Sequence, residues 1–180
     1  SPWTILLIIL VFYLLLGCLM DSLSMILLTI PIFWPIVQEL DFNLVSMVDL
    51  QAARLDGMIA GGKEIPAVLL SEAQAMLANG QELSREMTRE IKLRGVSEGA
   101  LNRVNIERTA IWFGILVLIV VEVGLITPPV GMNLFVINAM DRKTSMVDTY
   151  IAVLYFVCSD LVRVILLVVF PIITLILLPI

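Results

Sequence analysis

The sequence predicts an all-α membrane protein built from a re-entrant helical hairpin, a discontinuous transmembrane helix, a C-terminal transmembrane helix and a water-exposed helical insert. Hydrophobic residues make up 60% of the 180 residues and the mean hydropathy is +1.04, which excludes an ordinary soluble fold. The third apolar block, residues 110–140, is long enough to cross a bilayer but contains two prolines and two glycines near its middle. The net charge of −5 and the lack of an evident basic patch argue against a nucleic-acid partner.

The first predicted domain, residues 1–42, is the re-entrant hairpin. It consists of two apolar arms and a polar turn between them: Trp3–Leu19, Met20–Ser24 and Met25–Val37. As helices the arms would be roughly 26 and 20 Å long, less than the roughly 30 Å hydrocarbon core. A hairpin that enters and leaves on one side therefore fits better than two full spans, with Asp21 or Ser22 capping the second arm and Gly17 loosening the end of the first. The alternative is two short spans joined at Asp21 by an ordinary aqueous turn.

The second predicted domain, residues 43–109, is a water-facing insert that carries most of the charged residues. The apolar pattern and the glycines predict three short helices: one containing Val48, Leu55, Met58 and Ile59, one at Pro66–Ala78 and one at Glu82–Arg94. The third carries charges at spacings that support a helix: Glu82, Arg85, Glu86, Arg89 and Glu90. Charge runs of this kind are more often solvated helix faces than specific binding surfaces, and we favour the solvated face.

The third predicted domain, residues 110–140, is the broken transmembrane helix. Pro128 and Pro129 remove two backbone donors and clash with the preceding turn, so carbonyls within residues 123–126 lose their helical partners. In hydrocarbon such a carbonyl costs several kcal/mol unless it faces protein, water or a bound cation. A helix broken at this depth therefore predicts a binding site.

The fourth predicted domain, residues 149–180, is the C-terminal transmembrane helix. Asp160 and Arg163 lie three residues apart, so they can pair on one face of this helix. Arg142 and Lys143 lie in the short loop before it, and the positive-inside rule places that loop in the cytoplasm. The insert is then expected on the outer side of the membrane.

The hairpin tip and the helix break together form the candidate site. Both provide oxygen atoms with little formal charge: the Asp21 carboxylate, the hydroxyls of Ser22, Ser24 and Thr127, the Asn133 amide and the carbonyls of the broken backbone. Hard oxygen ligands of low total charge suit a monovalent cation such as sodium better than a transition metal. The free N–H groups of half-helices favour a carboxylate-bearing solute. A cation and an anion in one site would permit coupled transport.

Three stretches closely resemble the large membrane subunit of tripartite ATP-independent periplasmic (TRAP) transporters: Leu16–Pro35, Ile111–Leu116 and Gly124–Phe135. The end of the chain, residues 159–179, is similar to the C-terminus of that subunit. The resemblance implies two inverted repeats, each with a re-entrant hairpin and a broken helix, and a sodium ion between hairpin tip and break. This chain resembles the second repeat only, so we expect it to be part of a longer polypeptide. Residues 43–109 replace what is a short loop in most relatives.

The resemblance implies a set of sodium-binding residues: Asp21, Ser22, Ser24, Gly124, Thr127, Pro128 and Gly131. Pro129 and Asn133 would face the substrate. Sodium would be the coupling ion, and the resemblance implies no cofactor and no other metal. The chain is not expected to be an enzyme, because it has no histidine, no GxSxG motif and no Walker motif.

The function that the resemblance implies is part of the membrane permease of a sodium-coupled secondary transporter in the bacterial inner membrane. It would import small, dicarboxylate-like organic acids that a periplasmic solute-binding protein delivers, and it would act with a small membrane subunit. The chain would be multi-pass in the lipid bilayer, with its insert on the periplasmic side. Two alternatives are a direct dicarboxylate/sodium symporter of the same superfamily and a membrane-anchored interaction module. An anchor alone would not need a helix broken inside the bilayer.

Overall fold

The structure is a computed structural model that describes residues 1–128, 131–140, 145–176 and 178. Within those residues the chain contains nine helices and no strand. In chain order the helices are α1 (Pro2–Gly17), α2 (Ser22–Gln38), α3 (Met47–Ala60), α4 (Ala67–Ala78), α5 (Arg85–Glu90), α6 (Glu98–Ile126), α7 (Met132–Met140), α8 (Met146–Val169) and α9 (Ile172–Leu175). Of these, α6 and α8 are long and apolar enough to span a membrane. The predicted all-α class is confirmed, and α6 and α8 fit its membrane character.

The chain divides into two compact units. The first contains residues 1–42 together with the described residues between 109 and 176, and it therefore includes the hairpin helices and most of α6. The second contains residues 43–108 and Leu178, and it includes α3, α4 and α5. Each unit has a hydrophobic core of its own.

Helices α1 and α2 form an antiparallel hairpin. Tyr13 contacts Phe33 with ring centroids 5.5 Å apart. Trp3, at the start of α1, contacts Phe42, which follows α2, with ring centroids also 5.5 Å apart. The polar turn at residues 18–21 is therefore at the opposite end of the hairpin from Trp3.

Helix α6 packs along this hairpin. The buried indole of Trp112 has its centroid 5.9 Å from that of Trp3 and 5.2 Å from that of Phe42, both in edge-to-face geometry. Gly124, in the last turn of α6, contacts Gly17 at the end of α1. Helices α1 and α6 therefore run in the same direction, and the hairpin turn lies beside the C-terminal end of α6.

Helix α8 ends at Val169, earlier than the predicted 180, because Pro171 has no amide hydrogen with which to continue the helical ladder. The carbonyl of Leu167, which Pro171 leaves without a helical donor, accepts a hydrogen bond of 2.8 Å from Nε1 of Trp112. The buried indole N–H of α6 and the free carbonyl near the end of α8 thus satisfy each other. The helix also starts earlier than predicted, at Met146, where Ser145 caps it.

Asp160 and Arg163 form an ion pair within α8, as predicted from their spacing. The Arg163 side chain is 57% exposed and that of Asp160 is 25% exposed. Pairing lowers the cost of placing both charges in an apolar helix.

The second unit begins with a capping box. The Ser46 hydroxyl accepts from the Asp49 amide while the Asp49 carboxylate accepts from the Ser46 amide, and α3 starts at Met47. Helices α3 and α4 end next to glycines, as predicted. Gly62 and Gly80 adopt φ of 70° and 72°, in the left-handed region that ends a helix. Buried apolar residues hold the unit together: Leu55, Ala73, Leu83, Ile91 and Leu93.

The third predicted helix of this segment, residues 82–94, is wrong in its bounds. Helix α5 covers only Arg85–Glu90. It cannot begin earlier because both backbone groups of Leu83 are bound to the buried amide of Gln51. It cannot continue because Lys92 has a φ of 55°, in the left-handed region. The charges at helical spacing around α5 form no ion pair among the described residues.

Helix α6 begins at Glu98, twelve residues before the predicted start at residue 110. Ser97 caps it by accepting a hydrogen bond from the Ala100 amide. The apolar pattern marked only the part of the helix suited to a membrane, because the first turns of α6 are polar.

Candidate cation site at the hairpin tip and the helix break

The hairpin tip is organised by Asp21. Its Oδ2 accepts hydrogen bonds from the Ser24 amide, at 2.9 Å, and from the Ser24 hydroxyl, at 2.8 Å. Asp21 is therefore the cap of α2, which settles the choice between Asp21 and Ser22. These two hydrogen bonds fix the carboxylate of Asp21 against the first turn of α2. Asp21 and Ser24 are exposed and Ser22 is half-buried.

The helix break is organised by Thr127. Its hydroxyl donates to the Val123 carbonyl at 2.6 Å, and its amide donates to the Gly124 carbonyl at 3.1 Å. Two of the carbonyls that the sequence predicted to lose their partners are thus satisfied within the chain. The carbonyl of Leu125 has no amide donor four residues on, because that residue is Pro129. Since the Thr127 proton is used on Val123, the oxygen of Thr127 keeps its lone pairs for another partner.

Gly17 and Gly124 bring the C-terminal ends of α1 and α6 together. A Cβ atom placed on Gly124 would lie 2.7 Å from Cα of Gly17 and 2.9 Å from the Leu14 carbonyl oxygen. A Cβ atom on Gly17 would lie 3.0 Å from the Val121 carbonyl oxygen. Only glycine at both positions permits this backbone contact.

Gly131 starts the second half of the broken helix. Its φ is 50°, and a Cβ atom there would lie 3.1 Å from Cδ1 of Leu134. Its carbonyl accepts from the Leu134 amide at 2.8 Å, so its requirement for glycine is conformational. Asn133 is exposed in the first turn of α7, Pro128 is half-buried, and Pro129 lies outside the described residues.

Two buried hydroxyls brace the hairpin behind the tip. The Thr29 hydroxyl donates to the Met25 carbonyl at 2.7 Å and lies 2.8 Å from the Tyr13 hydroxyl. Because the single proton of Thr29 is used on Met25, Tyr13 donates to Thr29. The sequence pattern did not mark this pair, and it did not mark Gly17 as a packing residue. Small residues on a membrane helix that faces another helix are the signal that could have identified Gly17.

The site has little formal charge. In the part of the chain that the structure describes, no group of three or more His, Cys, Asp or Glu side chains could hold a metal ion. Asp21 is the acidic residue at the tip, and Glu122 is exposed on α6 just before the break. The candidate ligand oxygens of the tip and of the break therefore come from one carboxylate, hydroxyls and backbone carbonyls.

Comparison with known proteins identifies the family. The family model described as the tripartite ATP-independent periplasmic transporter, DctM component, matches residues 1–173 of the 180. No curated protein and no solved structure matches the chain. The resemblance seen at the hairpin tip and the break is confirmed by the family match, which covers nearly the whole chain. The chain belongs to the DctM family, a membrane component of tripartite ATP-independent periplasmic transporters.

Proposed function

We propose that this chain supplies one sodium site of the permease of a sodium-coupled transporter, in which sodium lies between the hairpin tip and the helix break. The observation that carries the proposal is the contact between Gly17 and Gly124. It joins the last residue of α1, next to the polar tip, to the last turn of α6, three residues before Thr127. Two irregular segments that are far apart in sequence are therefore neighbours.

The dimensions of the hairpin support its re-entrant character. The hairpin and α6 run side by side from the aromatic contact at Trp112 to the glycine contact at Gly124. Twelve residues of α-helix separate these two positions, which corresponds to about 18 Å. A hydrocarbon core is roughly 30 Å thick. A hairpin of this depth ends inside the membrane if its aromatic end is at the membrane surface.

The chemistry of the two segments fits a monovalent cation. The Asp21 carboxylate contributes one negative charge, and the Thr127 oxygen, whose proton is donated to Val123, presents lone pairs. The hydroxyls of Ser22 and Ser24 add neutral oxygen ligands. A single charge with neutral oxygens offsets one positive charge and does not offset two or more.

The second half of the broken helix favours the anionic cargo. Helix α7 begins at Met132, directly after the break, so its free N–H groups and the Asn133 amide lie next to the site. A small organic acid, dicarboxylate-like in size, is the cargo that this end of a half-helix would favour. Sodium bound beside it would lower the cost of bringing the carboxylate into the membrane.

The proposed assembly includes three partners. The remaining part of the permease would supply the other inverted repeat, and a small membrane subunit would pack against the apolar surface. A periplasmic solute-binding protein would deliver the organic acid to the outer side of the inner membrane, where we place residues 43–108. That second unit would help to form or shield the docking surface.

Substitutions at Asp21 and Thr127 test the sodium site in the complete transporter. Asp21→Asn keeps a good helix cap and removes the charge. Thr127→Val keeps the shape and removes the hydroxyl, whereas Thr127→Ser retains it. We expect the half-saturating sodium concentration for uptake to rise by about tenfold in Asp21→Asn and Thr127→Val, which corresponds to about 1.4 kcal/mol of cation binding.

Thr127→Ser is the matched control and should stay near the parent value. Membrane insertion and protein level, measured by immunoblotting of membranes, should be the same in all variants. Sodium dependence that is unchanged in both Asp21→Asn and Thr127→Val would contradict the proposal.

A further inference from the structure

An open cleft in the second unit is lined by basic side chains. Its larger lobe has a volume of about 770 Å³ and contains four cations from the segment around α5: Arg85, Arg89, Lys92 and Arg94. A smaller lobe of about 350 Å³ contains Arg54 and Lys63 from α3 and the loop after it, and it shares Lys92 and Arg94 with the first. Six of the eleven Lys and Arg residues of an acidic chain thus line one pair of lobes.

In the part of the chain that the structure describes, no acidic side chain pairs with these six cations. Among the described residues none of them forms an ion pair, and the one salt bridge there is in α8. Glu98 is the carboxylate that lines the larger lobe, and it is paired with none of them. Glu86 and Glu90, on the same helix as Arg85, do not line either lobe. An uncompensated positive cleft attracts anions from solution.

The start of α6 adds a second source of positive potential. Ser97, Glu98 and Gly99 line the larger lobe, and α6 is 29 residues long. Ser97 caps the Ala100 amide, whereas the amides of Glu98 and Gly99 have no acceptor within the described residues. Free amides at the start of a long helix bind oxyanions.

Lys92 occupies a backbone position that usually requires glycine. Its φ is 55°, its amide bonds to the Arg89 carbonyl, and the Leu93 amide bonds to the Thr88 carbonyl, which together form a Schellman motif. Lysine is unfavourable in this left-handed conformation. At this position Lys92 reaches both lobes of the cleft, which a glycine could not do.

The side chain of Arg54 packs against Gly95. A Cβ atom on Gly95 would lie 3.6 Å from Nε of Arg54, so the guanidinium packs over the glycine backbone. Gly95 has a φ of 75°. This contact brings a side chain from α3 beside the basic segment that follows α5.

We propose that this cleft binds an elongated small molecule that carries an oxyanion, either carboxylate or phosphate, at each end. One oxyanion lies in the larger lobe between the arginines of α5 and the free amides of α6. The other lies in the smaller lobe with Arg54 and Lys63, and Lys92 and Arg94 bridge the two. This site does not depend on the proposed sodium site.

Binding to the full chain in zwitterionic detergent tests the proposal. Equilibrium dialysis would use radiolabelled succinate, citrate and pyrophosphate in a low-salt, sodium-free buffer. Binding of succinate or citrate would assign carboxylates to the site, and binding of pyrophosphate would assign phosphates. Asp21→Asn should bind as the parent does, which separates this site from the transport site. Failure of all three anions to bind would overturn the proposal.

Lys92→Gly provides the sharpest variant because glycine suits the backbone at that position. We expect its dissociation constant for the bound anion to rise by at least about tenfold, while its thermal midpoint is not lowered. Lys92→Arg, which keeps the charge, should stay within about threefold of the parent.

Arg103→Gln is the matched control, since Arg103 is exposed on α6 and lines neither lobe. It removes one positive charge from the same unit, and we expect the affinity to be unchanged. Equal weakening by Arg103→Gln and Lys92→Gly would show a diffuse charge effect and would overturn the site.

Discussion

Gly124 contributes to packing because it has no side chain. The backbones of Gly17 and Gly124 touch, and the nearest atoms to an added Cβ are backbone atoms, which cannot rotate away. Gly114, in the same helix, has no heavy atom within 4 Å of an added Cβ. Substitution by alanine is therefore predicted to change stability in opposite directions at Gly124 and Gly114.

We expect Gly124→Ala to destabilise the chain by about 1–3 kcal/mol, because overpacking forces the two helices apart. Gly114→Ala should be neutral or stabilising by up to about 1 kcal/mol, through helix propensity. The thermal midpoint of the purified chain in detergent would measure both. Equal midpoints for the two variants would show that the glycine contact is not formed.

At the scale of elements, a single buried side chain decides where α5 begins. Gln51 in α3 is 3% exposed, and its Oε1 accepts from the Leu83 amide at 2.7 Å. Its Nε2 donates to the Leu83 carbonyl at 3.3 Å. The side chain thus replaces the partners that Leu83 would have had in a longer helix.

Replacing Gln51 by Leu should leave both backbone groups of Leu83 unpaired, at a cost of about 1–3 kcal/mol for each buried group. Hydrogen–deuterium exchange of the Leu83 amide in the full chain would report the change as faster exchange. Gln74→Leu on the exposed face of α4 is the matched control and should change stability by less than about 0.5 kcal/mol. Unchanged exchange at Leu83 in Gln51→Leu would contradict this role.

At the scale of the whole molecule, the two ends of the segment that forms the second unit lie next to each other. Asn105 accepts from the Val45 amide at 2.9 Å and donates to the Val45 carbonyl at 3.0 Å. The Asn105 side chain thus pairs with both backbone groups of Val45, sixty residues earlier in the chain. Segments whose ends meet in this way can be removed with little strain on the remaining chain.

Deletion of residues 43–107 with a short linker is therefore a practical test of the role of the second unit. In the complete transporter we expect the deleted form to reach the membrane but to lose association with the solute-binding protein and to lose uptake. Co-purification and transport assays would measure the two effects. Normal association and normal uptake after the deletion would contradict a docking role for this unit.

Signals within a few residues of each other were predictable from the sequence. The sequence predicts Asp21 or Ser22 as the cap of α2, and Asp21 is the cap. The predicted helix ends near Gly62 and Gly80 and the predicted ion pair between Asp160 and Arg163 are confirmed. Each depends on neighbours three or four residues apart, which a single sequence displays directly.

Contacts between distant residues were not predictable in this way. The shortening of α5 depends on Gln51, thirty-two residues before Leu83. The basic cleft depends on the contact between Arg54 and Gly95, which are forty-one residues apart. The sequence pattern alone favours a solvated helix face for these cations. No periodicity in a single sequence encodes such approaches. The proposed sodium ligands stay a prediction.

The contact between Gly17 and Gly124 also restricts how α1 and α6 can move. Sliding α1 along α6 by one helical turn, about 5.4 Å, would replace Gly17 at the contact by Tyr13 or Leu14, and at Gly124 even a methyl group does not fit. The two helices can separate or tilt, but they cannot change register step by step. We therefore expect the hairpin and α6 to move as one body in a transport cycle.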